Sequence, residues 1–221
     1  MAMDPDVRAR ELAAESEGPA DWFERLYAEA DAGTAAVPWD HATPHQLLVR
    51  WAEAGEVSGG GRRALVVGGG YGRDAEYLAR RGFRTTAFDI SPTAIKAAEA
   101  RHSGSPVRYT VADLLAPPEE WRGGFDLVLE SMTVQSMPRT VREAATGNVA
   151  SLVAPGGELL VIAVSLGEAD PDAGPPWPLT RAEVEGFAVA GLRAVHIEEI
   201  QDAEQPSIRR WLAEFHRLSA E

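Results

Sequence analysis

The feature that most limits the fold of this chain is an alternation of short apolar runs with amphipathic stretches, which begins at residue 62. Residues 64–67 are all apolar, which is typical of a strand that is buried on both faces. The next stretch, 74–81, has apolar residues at helical spacing. Several such βα units follow up to about residue 200. Repeated βα units with buried strands predict an α/β fold built on a doubly wound, mostly parallel sheet.

Local signals mark the other elements of this pattern. Ser91 and Pro92 are typical of a helix start, with a capping serine followed by proline at the first helical position. Thr180 and Glu183 form a capping box that opens a later helix. Asp74 is interpreted as a cap of its own helix. Strands are predicted over 84–88, 107–110, 125–129 and 158–164, and helices over 92–101 and 140–152.

The C-terminal part of the pattern has two interpretations. Residues 192–200 predict a strand, but Ile208, Trp211, Leu212 and Phe215 are spaced as in a helix. A doubly wound sheet that ends in a hairpin requires a strand over 207–216. We favour the strand on topology and keep the helix as the alternative.

The N-terminal segment has a different character. Trp22, Phe23, Leu26 and Tyr27 form one apolar helical stripe, and a second stripe contains Leu47, Leu48 and Trp51. We expect these aromatic residues to be helix-packing core. A glycine-rich joint at 58–61 follows. The sequence thus predicts an N-terminal helical extension over 1–56 and a second domain over 62–221.

The charge and composition exclude several classes of function. The net charge is −13, which argues against nucleic acid and an anionic membrane as partners. No apolar run approaches the roughly 18 residues of a membrane span, and no secretory signal is recognisable, so a cytoplasmic protein is expected. There is no cysteine, and the His41–His45 pair spans a proline, so no metal site is expected. No oligomeric state is predicted.

A glycine-rich loop directly follows the first predicted strand. It contains Gly68, Gly69, Gly70 and Gly72, and a helix comes next, whose free N–H groups suit an anion. Asp89 stands 21 residues after Gly68, at the end of the second strand. A carboxylate at that position can accept both ribose hydroxyls of a nucleotide that lies across the sheet edge.

The register of the glycines separates two cofactors. Counted from Gly70, the loop matches the dinucleotide fingerprint, which would indicate an NAD-dependent oxidoreductase. Counted from Gly68, it is the G-x-G-x-G of S-adenosylmethionine binders. Asp113, just after the third strand, is placed to face the exocyclic amine of an adenine. Together with the motifs at 125–128 and 154–161, it favours the second interpretation.

In this combination the sequence resembles the class I S-adenosylmethionine-dependent methyltransferases over residues 62 to about 200. The resemblance implies a seven-stranded sheet of order 3-2-1-4-5-7-6. It also implies that the glycine loop adjoins the methionine moiety, and that ribose and adenine are bound by Asp89 with Ile90 and by Asp113 with Leu114, respectively. One departure is Val66, where many members carry an acid.

Within this class the chain is similar to the thiopurine and thiol/halide methyltransferase branch. That branch often lacks the same acid, and it has an N-terminal helical segment with tryptophans and a G-x-D motif, here Gly72-Arg73-Asp74. By this analogy Trp39 packs on the methionine end of the cofactor, since an aromatic face suits a sulfonium cation.

Other candidate residues follow the fourth strand or lie in loops. Glu130 and His41 are the candidates for a general base. Glu130 is also a candidate cofactor contact, or alternatively a cap of the next turn. Gln135 and Trp177 are expected to line the acceptor pocket, and residues 165–178 form a predicted lid or binding loop.

The predicted function is methyl transfer from S-adenosylmethionine to a small-molecule acceptor. The absence of a dominant base favours a thiol or another soft nucleophile, and the acidic chain favours a neutral or cationic acceptor. The NAD-dependent oxidoreductase lacks an identifiable Tyr-x-x-x-Lys, and Lys96 is the one lysine. A non-catalytic S-adenosylmethionine-binding module stays open, because of Val66 and the missing base.

Overall fold

A computed structural model of the chain describes residues 4–167, 174–203 and 205–219. Short 3₁₀ turns lie at Glu119–Trp121 and Val134–Ser136. The helices are α1 (Pro5–Glu15), α2 (Asp21–Asp31), α3 (Gln46–Ala54), α4 (Arg73–Arg80), α5 (Pro92–Arg101), α6 (Arg139–Leu152) and α7 (Arg181–Glu185). The strands are β1 (Arg63–Val67), β2 (Arg84–Asp89), β3 (Arg108–Val111), β4 (Phe125–Ser131), β5 (Val153–Val164), β6 (Leu192–Gln201) and β7 (Arg209–Arg217).

The seven strands form one sheet in the order β3-β2-β1-β4-β5-β7-β6, which confirms the predicted fold class. Neighbouring strands from β3 to β5 are parallel, and β7 is antiparallel to both β5 and β6. Because β1 to β5 are parallel, their carboxyl ends lie at one edge of the sheet. The antiparallel β7 brings its first residues to the same edge, where Arg210 pairs with Val164.

The strand at β7 confirms the topological argument over the helical spacing. Trp211, Ala213 and Phe215 enter the core on one face of the sheet, and Leu212 enters the core on the other. A strand that is buried on both faces carries apolar residues without a two-residue period. This is why the segment has the spacing of a helix.

Two cores cover the two faces of the sheet. Helices α6 and α7 pack on one face, around Val67, Val128 and Val161. Helices α3 and α4 pack on the other, around Val66, Leu129 and Ile162. The predicted caps are present: the Ser91 side chain accepts from the backbone N–H of Ala94, and both bonds of the Thr180–Glu183 capping box are formed.

A third, smaller core holds α1 and α2 against the start of α5. It contains Leu12, Trp22, Leu26 and Tyr27, as expected for helix-packing residues, together with Ala94 of α5. The half-buried Trp51 donates from Nε1 to Glu214 Oε2 of β7 at 3.0 Å. The division of the chain into two domains stays a prediction.

One carboxylate joins the N-terminal helices to the sheet domain. Glu24 of α2 accepts from Ser91 Oγ at 2.5 Å, from Thr93 N at 3.2 Å and from Thr93 Oγ1 at 2.7 Å. An acid at the first turn of α5 suits the unpaired N–H groups there. This contact holds α2 above the ends of β1 and β2.

Candidate functional site

The glycine loop between β1 and α4 is shaped for close approach. Gly68 has a φ of +60°, and a Cβ at this position would lie 2.3 Å from Thr133 Oγ1. Gly70 has a φ of +51°, and a Cβ there would lie 2.9 Å from Tyr27 Oη. Both residues therefore have to be glycine, for backbone conformation and for space. The loop turns at the carboxyl edge of the sheet, where open α/β sheets bind their ligands.

Asp89, at the end of β2, organises this loop. Its Oδ2 accepts from Gly70 N at 2.9 Å and its Oδ1 accepts from Ser91 N at 3.0 Å. Burial raises the pKa of Asp89 to about 6. The Ile90 N–H is a third backbone donor to Asp89. A carboxylate has about four acceptor sites, so it keeps capacity for one more donor, such as a ribose hydroxyl. Ile90 lies next in the chain, and the nucleotide-binding role expected of this pair stays a prediction.

Asp113 and Leu114 follow β3 at the same edge. Asp113 Oδ1 accepts from Leu115 N at 2.8 Å, and Oδ2 makes no hydrogen bond within the described residues. Leu114 is buried in the core, and its carbonyl accepts from Asn148 Nδ2 at 2.9 Å. Asp113 thus offers a fixed carboxylate that suits the exocyclic amine of an adenine, and the adenine contact of the buried Leu114 stays a prediction.

Aromatic side chains from the N-terminal segment lie over the glycine loop. Trp39 Nε1 donates to Tyr27 Oη at 2.7 Å, and Tyr27 packs edge-on against Tyr71 with ring centroids 5.1 Å apart. Trp39 was expected near the cofactor, and it lies 3.9 Å from a Cβ built on Gly70. Tyr27 was expected only as core. A buried tyrosine, whose hydroxyl needs a partner, was the one available hint of its second role.

A salt bridge anchors the loop that carries Trp39. Asp40 accepts from both terminal nitrogens of Arg101, at 2.7 and 3.0 Å. The Arg101 guanidinium also lies over the Tyr71 ring, 3.6 Å from its centroid. The aromatic cover is therefore tied to α5 and to the glycine loop. Its further ordering when the cofactor binds stays a prediction.

Glu130, at the end of β4, is fully buried. Its Oε1 accepts from the N–H groups of Thr133 and Val134, both at 2.8 Å, and its Oε2 has no partner among the described residues. Burial raises the pKa of Glu130 to about 7. This geometry is that of the turn-capping alternative. The roles of Glu130 as a base and as a cofactor contact stay predictions, and both require the turn to move.

Gln135 and Trp177 are brought together by backbone contacts. Gln135 is fully buried, with Oε1 accepting from Val164 N at 2.6 Å. Its carbonyl accepts from Trp177 N at 2.8 Å, and Arg142 Nη2 donates to the carbonyls of Gln135 at 3.2 Å and Trp177 at 2.7 Å. Gln135 therefore positions Trp177, and its predicted contact with the acceptor stays untested. Residues 168–173 of the predicted lid at 165–178 lie outside the described residues.

Trp177 lines a cavity of about 200 Å³. The other walls are Pro19 in the turn between α1 and α2, Trp22 in the first turn of α2, and Pro138 and Val141 at the start of α6. Trp22 also contacts Trp39 edge-on, with ring centroids 5.9 Å apart. The cavity therefore adjoins the aromatic cover of the glycine loop, and most of its wall is apolar.

The two histidines of the N-terminal loop have different environments. His41 is exposed. His45 caps α3 by accepting from Leu47 N at Nδ1, at 3.2 Å, and its own N–H donates to Asp74 Oδ1 at 2.7 Å. The interpretation of Asp74 as a cap of its own helix was wrong, because α4 begins at Arg73 with Gly72 as its N-cap and has no side-chain cap. Within the described ranges, no group of side chains is arranged to hold a metal ion.

The sheet order, the glycine loop and the carboxylates at the strand ends define a class I S-adenosylmethionine-dependent methyltransferase. Within this class, the chain belongs to the thiopurine S-methyltransferase (TPMT) family, whose sequence model matches residues 31–220. The aromatic cover over Gly70 and the remaining hydrogen-bond acceptor capacity of Asp89 fit S-adenosylmethionine as the cofactor. Of the helices in the described ranges, none has the length and apolar character needed to cross a membrane.

Individual relatives agree with this assignment. An uncharacterised methyltransferase of Mycobacterium tuberculosis is 35% identical over 98 residues, which are 44% of this chain and 48% of that protein. The chain thus spans about half the length of the curated relatives it matches. A solved structure concerned with the conversion of a disulfide bond into a thioacetal group during echinomycin biosynthesis is 25% identical, with a TM-score of 0.69, covering 90% of this chain and 94% of that one.

A second structure shows the shared fold with a bound product. The N-methyltransferase NodS of Bradyrhizobium japonicum, in complex with S-adenosylhomocysteine, is 22% identical with a TM-score of 0.68. The similarity covers 88% of this chain and 95% of NodS.

Proposed function

We propose that this protein transfers the methyl group of S-adenosylmethionine to a thiol or another soft nucleophile on a small-molecule acceptor. One observation carries the proposal. The aromatic cover of the glycine loop, where the cofactor's methionine moiety is expected, adjoins a mostly apolar cavity, and its one ionisable lining residue, Glu17, is exposed.

The chain's own residues provide binding and orientation. Asp89 and Asp113 would hold the ribose and the adenine, and the glycine loop would hold the methionine moiety. S-adenosylmethionine itself supplies an electrophilic methyl group on a sulfonium sulfur. When the methyl group is transferred, that sulfur becomes a neutral thioether, which is a good leaving group. Trp39 presents an aromatic surface to that cation. Aligning an acceptor with such a group accounts for most of the rate that a methyltransferase needs.

The aromatic cover has a second task. Tyr27, Trp39 and Tyr71 close the space above Gly70, and Trp22 and Trp177 continue this surface around the cavity. Apolar walls exclude water, which removes a competing nucleophile and leaves a weakly hydrated thiolate more reactive.

Two further observations support a sulfur acceptor. Glu130, at the end of β4, is fully buried and its Oε1 caps a turn, which favours an acceptor that needs no strong base. A thiol ionises near neutral pH and needs little help from a base. The family is named for S-methylation, and the echinomycin-related structure is concerned with sulfur chemistry.

A methyl-transfer screen tests the proposal. The protein is incubated with radiolabelled S-adenosylmethionine and one acceptor at a time. The acceptors tested are thiols, thiopurines, halides, phenols and amines. We expect label in the methylated thiols or halides. If only phenols or amines are methylated, the soft-acceptor part is wrong. If S-adenosylhomocysteine binds in calorimetry and no acceptor is methylated, the non-catalytic module is favoured. NAD serves as the calorimetric control, and no binding is expected.

A further inference from the structure

Two carboxylates that contact the start of α3 are each next to an arginine. The backbone N–H of His45 donates to Asp74 Oδ1, and the nearest nitrogen of Arg73, Nε, lies 3.8 Å from the same oxygen. The next residue of α3, Gln46, donates from Nε2 to Asp202 Oδ1 at 3.0 Å. Asp202 in turn pairs with Arg210. The starts of α4 and β7 therefore bring the Arg73 and Arg210 side chains to the start of α3, at His45 and Gln46.

This cluster extends to the end of β4. Arg210 Nη1 lies 3.5 Å from Met132 Sδ, and Met132 directly follows β4. Met132 has a φ of +68°, a left-handed conformation that is rare for a residue with a side chain and is typical of functional sites. Arg210 therefore lies beyond β1, on the side of the sheet edge away from Asp89 and Asp113. The cofactor residues occupy the ends of β1 to β3.

The His45 ring is a hydrogen-bond donor in this cluster. Its Nδ1 accepts from Leu47 N, so in the neutral ring the proton is on Nε2. Burial, and then the guanidinium groups of Arg210 and Arg73, lower the pKa of His45 to about 3, against a smaller opposite effect of Asp202. The exposed His41 also lowers the pKa of His45. At neutral pH His45 thus offers Nε2–H and takes no proton.

The cations are nearer to the solvent than the carboxylates are. The side chain of Arg73 is 21% exposed and that of Arg210 13%, against 10% for Asp74 and 2% for Asp202. In the described part of the chain, the Arg73 guanidinium makes no hydrogen bond. A half-buried guanidinium with unused donors is suited to a planar oxyanion, which it can bind with two parallel hydrogen bonds.

We propose that Arg73, His45 and Arg210 form a subsite for a carboxylate on the methyl acceptor, beside the end of β4. The proposal rests on the proposed function and adds to it the acceptor's charge. The acidic chain as a whole favours a neutral or cationic acceptor. Locally, however, two guanidinium groups balance two less exposed carboxylates, and short-range hydrogen bonds from the more exposed cations outweigh the distant, screened charges of the rest of the surface. The acceptor is then a small molecule with a soft nucleophile and a carboxylate.

Matched acceptors test this subsite. The probes are thiosalicylate and thiophenol, two aromatic thiols that differ by one carboxylate. For Arg73→Gln and Arg210→Gln we expect the KM for thiosalicylate to rise by about tenfold or more, as for the loss of a charge-assisted hydrogen bond. The KM for thiophenol and the Kd of S-adenosylmethionine are expected to stay unchanged. Arg209→Gln is the control, because Arg209 is exposed and pairs with Glu199.

Other outcomes overturn the proposal. If the variants weaken S-adenosylmethionine but not decarboxylated S-adenosylmethionine, the subsite binds the cofactor's carboxylate. If they leave both thiols unaffected, it binds no carboxylate. Thermal unfolding identifies variants whose loss of activity comes from misfolding. The substitutions Arg73→Lys and Arg210→Lys keep the positive charge and serve as conservative controls.

Failure of the proposed function is a separate result. It would be observed if thiosalicylate binds to the S-adenosylhomocysteine complex in calorimetry but is not methylated when S-adenosylmethionine is supplied. In that case the ratio of the Kd values of thiosalicylate and thiophenol, in the parent protein and in Arg73→Gln, still decides whether the subsite exists.

Discussion

The proposed donor half and the proposed acceptor half of the sheet edge are built in different ways. In the donor half, each expected ligand residue lies within two residues of the end of its strand: Gly68 follows β1, Asp89 ends β2, and Asp113 lies two residues after β3. The acceptor half combines residues that are distant in sequence, such as Trp22, Pro138 and Trp177. The donor half is thus a property of a βα unit, and the acceptor half is a property of the assembled chain.

The strongest test of the donor half is Gly68→Ala. The new Cβ would lie 2.3 Å from Thr133 Oγ1, in a backbone conformation that disfavours side chains. We expect a loss of about 2–4 kcal/mol, as lower affinity for S-adenosylhomocysteine or lower stability. Calorimetry and thermal unfolding measure both. Gly147→Ala in α6 is the control, since a Cβ there has no atom within 4 Å. Equal binding by the two variants would contradict the close packing of the loop.

A pH titration of stability tests the boundary between the halves, at Glu130. Its pKa is raised from 4.5 to about 7 in the folded protein, so the native state retains a proton that the unfolded chain releases. The free energy of unfolding is therefore expected to fall as the pH rises from about 4.5 to 7, by up to about 3 kcal/mol. In Glu130→Gln, which keeps the Oε1 acceptor, this slope is expected to be shallower in urea unfolding between pH 5 and pH 8. The same slope in both proteins would show that Glu130 titrates normally.

Asp89→Ala tests the ribose role assigned to the donor half. The loss of hydrogen bonds to a charged group, and of the bond to Gly70 N, is expected to weaken S-adenosylhomocysteine by about 1.5–3 kcal/mol. Thermal unfolding confirms that the variant is folded. An unchanged Kd in a folded variant would remove Asp89 from the site.

Trp177→Ala tests whether the acceptor half is energetically separate. We expect the KM for the acceptor to rise by about tenfold while the Kd of S-adenosylhomocysteine is unchanged, because the ring lines the cavity and is not part of the glycine loop cover. Trp51→Phe, on the α3 side of the sheet, is the control. If cofactor binding falls as much as acceptor binding, the two halves are one site.

The smallest effect is expected for Tyr27→Phe. The change removes the acceptor for Trp39 Nε1 and keeps the packing against Tyr71. We expect a loss of about 1 kcal/mol in affinity for S-adenosylhomocysteine, the usual net value of one hydrogen bond. A loss confined to thermal stability would show that Tyr27 is core alone.

The fold and the donor half could be predicted because their signals are local. The apolar run before Gly68, the serine and proline that open α5 and the capping box of α7 act within a few residues, and each was confirmed. The β7 segment is the intermediate case. Its own spacing indicated a helix, and only the sheet that covers both of its faces made it a strand.

Tertiary structure alone decided the rest of the site. Tyr27 over Gly70, Arg210 beside Met132, and Trp177 bonded to Gln135 join residues that are 43, 78 and 42 positions apart. No spacing rule connects such pairs, because their contact depends on how α2, β7 and the loop before α7 pack on the sheet. The sequence alone therefore determined the fold and the residues at the strand ends, through periodicity and backbone constraints. Packing over long chain distances decided which side chains cover the glycine loop and which line the adjoining cavity.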